Sequence, residues 1–149
     1  AGNTSQAVAN YNFIELHNVT NQVDLTTWSL QYGSVDGNFA SYAGNLYEFP
    51  ANTKIPAGGY LLVKVGSASI SPLAIGDKAP NHDLKTGEDD FKMSNNSGKV
   101  ALVTENQALG CGGDVTRGGA NAPCDAGIYA VIEDIVAWGV STRGAETLE

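Results

Sequence analysis

The sequence predicts an all-β fold, a sandwich or a barrel, on three observations. Apolar residues recur with a period of two rather than 3.6 in several short segments. Clusters of Gly, Pro, Asn, Asp and Ser separate those segments. No window of about ten residues carries the one-sided apolar stripe of an amphipathic helix. Many short strands joined by turns close into a sandwich or barrel.

The first strand is NFIEL, with Ile14 and Leu16 on one face and Phe13 and Glu15 on the other. His17 ends it, just before the turn-like NVTN. Val23 and Leu25 fall out of phase with Trp28 and Leu30, so a bend or bulge is expected near Thr26 and Thr27. WSLQY places Trp28, Leu30 and Tyr32 on one face and Ser29 and Gln31 on the other, which predicts a half-buried strand. VDGN and IPAGG read as turns, and Gly58 and Gly59 are available for positive φ. YLLVKV sets Leu61, Val63 and Val65 against Tyr60, Leu62 and Lys64. Gly66 to Phe91 is the longest stretch without a strand pattern and reads as an elaborated loop. After the turn NNSG, KVALVT is apolar on both faces, which predicts a central strand. YAVIEDIVAWG is β-branched, but both its faces mix polar and apolar groups, so alternation does not set its register.

With 149 residues the chain suits one domain, taken here as residues 1–149. The terminal Leu148 and Glu149 fit a cloning scar and are left out of fold reasoning. Hydrophobic residues at 42% argue against disorder. No apolar run reaches the roughly 18 residues of a membrane span. Sixteen acidic residues against eight basic ones give a net charge of −8, which opposes binding to phosphate backbones. Cys111 and Cys124 lie in the Gly-rich LGCGGDVTRGGANAPCDAG, and pairing in an oxidising compartment is the preferred reading. A metal site or a redox pair there lacks CxxC spacing and a nearby His.

Motifs for chemistry fail one by one. Ser141 in GVSTRG lacks the second Gly of the GxSxG elbow. SGKV lacks the upstream Gly and the hydroxyl of a P-loop. Three Asn-x-Ser/Thr sequons, at Asn3, Asn18 and Asn95, occur at about the frequency chance supplies and identify nothing. Looser groups remain. His82 and Asp83, followed by Glu88, Asp89 and Asp90, could bind Ca²⁺, or His82 and Asp83 could serve a small hydrolase, although a solvated acidic loop is the simpler reading. Glu15 and Asp134 sit in apolar strands and could form a hydrolase pair, although strand carboxylates more often face solvent or accept turn bonds. His17 is a lone imidazole, better read as a surface or turn residue than as a base. Trp28 and Trp138, if exposed together, would suggest a carbohydrate platform; Trp28 is in phase with Leu30 and reads as core.

Four strings in order, FIELHNVTNQVDLTTWSLQYGS, IPAGGYLLV, FKMSNNSGKVALV and IEDIVAWG, resemble the lamin tail domain family. They are most similar to its bacterial secreted branch, found beside extracellular nuclease and other hydrolase domains. The resemblance runs from about Asn10 to Gly139. It implies an immunoglobulin-like β-sandwich of two antiparallel sheets and a non-catalytic interaction or scaffolding role at the cell surface or outside the cell. It implies a protein or cell-surface partner, and no catalytic, cofactor-binding or metal-ligating residue. Two departures stand out. Family members open with a strand before the Glu-bearing one, and here only AGN matches its end, so that strand is either missing or replaced by TSQAVANY. A missing strand would leave an unpaired edge able to dimerise or to recruit a strand in trans. HN also stands where YN is usual, and AWG where GYG is usual.

Overall fold

A computed structural model describes residues 12–66, 83–87, 90–94, 96–117 and 120–139. Nine strands are seen among them: β1 (Asn12–His17), β2 (Val23–Asp24), β3 (Ser29–Ser34), β4 (Leu46–Glu48), β5 (Lys54–Ile55), β6 (Tyr60–Val65), β7 (Leu84–Lys85), β8 (Gly98–Val103) and β9 (Ile132–Trp138). One short helix, α1 (Ala126–Tyr129), precedes β9. Its N-terminus is capped by Asp125, whose side chain accepts from the Ile128 N–H. The strands form a three-stranded sheet in the order β1-β6-β7, a four-stranded sheet in the order β4-β3-β8-β9, and a two-stranded ribbon β2-β5. The pairing is antiparallel except between β6 and β7, which run parallel. This is the predicted all-β class, consistent with an immunoglobulin-like sandwich, with that one parallel pair added.

The two main sheets face each other over a core that includes Leu30, Tyr32, Leu61, Val63, Val65 and Val100. The alternation of β6 holds: Leu61, Val63 and Val65 are buried, while Tyr60 is exposed. KVALVT is central as expected, with β3 on one side of β8 and β9 on the other. The last strand is shorter than its string suggests, because Tyr129 belongs to α1. A register shift at Leu102 and Val103 accommodates one extra residue of β9.

WSLQY is not a half-buried strand. Ser29 and Gln31 are as inaccessible as Leu30, and Trp28 lies just outside β3 and is half-buried. The segment after β8 covers the face that carries the polar pair. Ser29 Oγ donates to the Glu105 carbonyl (2.6 Å), and Gln31 Nε2 donates to the Gln107 carbonyl (2.8 Å). Gln31 Oε1 accepts from the Leu109 N–H (2.9 Å). An irregular segment lying on a sheet needs polar side chains beneath it, because its backbone groups find no ladder partner. The central strands β3 and β8 are therefore covered on both faces. Phe39, Ala101, Val103 and the two cysteines form the second core. Cys111 and Cys124 are bonded, with their Cα atoms 5.0 Å apart.

The phase change before Trp28 is a tight turn rather than a bulge. The Trp28 N–H donates to the Leu25 carbonyl (2.9 Å), and Asp24 Oδ1 accepts from both the N–H and the hydroxyl of Thr26. In PAGGY only Gly58 takes positive φ, at 67°. Gly59 is required for space instead, since a Cβ there would meet the Pro56 ring at 2.7 Å.

Candidate binding groove

The edge strands β1 and β9 form the two walls of one open groove. Its volume is about 380 Å³, and its floor includes Leu30, Val100 and Leu102 from the inter-sheet core. Ile14 and Leu16 line it from β1, and Val136 and Trp138 from β9. A smaller cleft of about 170 Å³ continues it past His17, Thr20 and Trp28 to Glu133.

Glu15 and Asp134, which are 119 residues apart in sequence, line both cavities. Register explains the placement. Glu15 pairs with Leu62 on β6, and Asp134 pairs with Leu102 on β8. Both carboxylates are exposed. Asp134 Oδ1 accepts the N–H of Ile135 (2.8 Å). The larger groove is otherwise lined by apolar residues and holds no Ser, Cys, His, Lys or Tyr.

His17 sits at the end of β1 with its ring stacked on Tyr60, 4.2 Å between centroids and 4° between planes. Asp83 is occupied structurally: its carboxylate accepts from the Leu62 N–H (2.8 Å) and its own N–H donates to the Leu62 carbonyl. His82, Glu88, Asp89 and Ser141 lie outside the described residues, as do the sequons at Asn3 and Asn95. Among the described residues, no three His, Cys, Asp or Glu side chains come together as a metal cluster.

The tryptophans do not form an exposed pair. Trp138 is half-buried, stacks beside Tyr32 and donates its indole N–H to the Ser94 carbonyl (2.9 Å). Trp28 is half-buried against the core. Asn18 is also structural. It is 8% exposed, and its amide donates to the carbonyls of Asn21, Ile55 and Pro56, tying the end of β1 to β5 and the PAGG turn.

The lamin tail domain model matches residues 1–115. The chain belongs to the lamin tail domain family. No curated protein matches it significantly. The matched region includes β1 to β8 of this lamin tail domain, while α1 and β9 lie beyond it. One wall of the groove therefore comes from the matched region and the other from outside it.

One buried group in this lamin tail domain escaped the sequence reading. Lys99 of β8 is inaccessible to solvent, in phase with Ala101 and Val103 of the second core. Gly33, opposite it in register, leaves space for its stem; a Cβ there would meet Lys99 Cε at 2.9 Å. The ammonium lies 5.4 Å from the centroid of Phe39. Burial pushes the Lys99 pKa down to about 8, against the opposing pull of Asp36 and Asp114. Two other groups are shifted. Thr26 bonds hold Asp24 below its usual value, with help from Lys54, and burial raises Tyr47.

Proposed function

We propose that this lamin tail domain is a non-catalytic interaction module of a secreted or surface-attached bacterial protein, and that it positions or targets a neighbouring domain. Residues 1–149 act as one unit in this reading, since β9, beyond the family match, completes the four-stranded sheet. The observation that carries the proposal is the composition of the groove. It brings two strand carboxylates to one groove, yet lines the larger part of that groove with apolar side chains and with no Ser, Thr, Cys, His, Lys or Tyr. Both carboxylates are exposed to solvent rather than held in a closed site. An apolar groove walled by two strands that are sheet edges among the described residues suits binding of a chain rather than its cleavage. The disulfide is compatible with an oxidising compartment.

Purified protein should show no turnover of nucleic acid or polysaccharide above buffer. Glu15→Gln and Asp134→Asn should leave that baseline unchanged. Turnover that disappears in Glu15→Gln would refute the module and favour a hydrolase.

A further inference from the structure

Among the described residues the two main sheets do not match in width. The four-stranded sheet ends in β9, while the three-stranded sheet stops at β1. Val136 shows the consequence. It pairs directly with Val100, so the two side chains share the face turned toward the other sheet. Val100 is 8% exposed and Val136 is 60% exposed. An inward-facing valine of β9 therefore has no strand opposite it among the described residues.

Among the described residues no strand lies beyond β1, and the polarity of its outer edge can be read from the ladder. Leu62 and Lys64 of β6 direct their backbone groups to β7 and its flanks: Asp83 bonds both backbone groups of Leu62, and the Thr86 N–H donates to the Lys64 carbonyl. The alternate residues Leu61, Val63 and Val65 therefore bond β1, through Leu16, Ile14 and Asn12. Phe13, Glu15 and His17 then direct their N–H and C=O groups outward, away from β6. The edge offers alternating donors and acceptors beside an apolar groove, the arrangement that β-strand addition uses.

We infer that an extended segment of a partner protein, alternating apolar with Lys or Arg residues, docks along β1 as a fourth strand of the three-stranded sheet. Its inward side chains cover Val136 and the groove floor, and its outward side chains lie beside Glu15. Charge selects the basic pattern: Glu15 stands on the outer face of β1 beside those outward side chains, Asp134 adds a second carboxylate to the groove from its inward face, and no Lys or Arg lines the groove or its continuation. A second copy fits poorly, because antiparallel β1–β1 pairing brings Glu15 close to its own counterpart on a chain of net charge −8. The terminal stretches AGNTSQAVANY and VSTRGAETLE lack the alternation of large apolar and basic residues.

This inference rests on the module reading above, and one experiment separates the two. The probe is a capped peptide of alternating Val and Lys, about seven residues long to span a strand. It is titrated into the full chain by calorimetry, with peptide mass checked afterwards. Saturable binding is expected, weakened at least about tenfold when Glu replaces Lys in the peptide or when Glu15 and Asp134 are changed to Lys. An added strand bonds through alternate residues only. N-methylation of one alternate set of amides should therefore abolish binding, and methylation of the other set should be tolerated. No binding at millimolar peptide, or binding indifferent to the methylation pattern, would overturn the inference. So would a stable dimer whose β1 amides are protected from exchange, which would make a second copy the occupant. Intact, unbound peptide refutes the docking alone, whereas cleavage lost in Glu15→Gln refutes the module itself.

Discussion

The burial of Lys99 should be visible as a pH dependence of stability. In the unfolded chain the ammonium titrates near its ordinary 10.5, and in the native state near 8. Below pH 8 both states hold the proton, and the native state carries the full penalty of a buried charge, about 3 kcal/mol from a shift of this size. Between 8 and 10.5 the unfolded chain keeps a proton that the native state has released, so stability rises with pH. Integration from pH 7 to about 9.5 gives a gain of about 2 kcal/mol. Tyr47 bounds the window from above. Burial raises its pKa, so its contribution is present below the ordinary value of 10.0 and is lost as pH rises further. Urea unfolding followed by tryptophan fluorescence is the assay, and the midpoint should rise by roughly 1 M between these pH values. Lys99→Met should remove the slope while keeping most of the volume packed on Phe39. A flat profile in the wild type, or a slope that survives in Lys99→Met, would refute the argument.

Three further outcomes follow from named contacts. Reduction of Cys111–Cys124, which closes a loop over a sequence separation of 13, should lower stability by about 3 kcal/mol and the melting temperature by roughly 10 °C; coincident melting of the oxidised and reduced forms would contradict this. Asn18→Ala removes an amide that donates to three carbonyls and should cost about 2–3 kcal/mol, read from denaturant midpoints. A change below about 0.5 kcal/mol would show that the clamp is dispensable. Gly98→Ala puts a Cβ 2.7 Å from Trp138 Cζ2 and 2.9 Å from Tyr32 Cε2. It should cost about 1–3 kcal/mol and shift the tryptophan emission; unchanged emission and stability would show that the stack yields freely.

Much of the fold was legible because alternation is a local property. The burial of β6 follows directly from YLLVKV, and the central place of β8 from an apolar run with no polar face. The disulfide was readable from two cysteines in one Gly-rich loop, and the family from four strings in order. Ser29, Gln31 and Lys99 were misread or missed for a common reason. Their polarity signals exposure only if nothing lies over them, and here an irregular segment about 75 residues downstream of the first two covers that face. A buried polar residue with a distant backbone partner looks, in sequence, like a surface residue.

The groove divides in the same way. Glu15 and Asp134 stood out as carboxylates in apolar strands, which the sequence determines. It also determines that β1 is a strand, through its period of two, and that β9 is one, through its β-branched residues. That the two strands end as neighbouring sheet edges among the described residues, one sheet there a strand narrower than the other, was decided only by tertiary pairing. Sheet order depends on which distant strands exchange backbone hydrogen bonds, and backbone groups are the same in every residue except proline. An exposed valine that faces inward is thus unremarkable as a letter in IEDIVAW and informative as a position on β9.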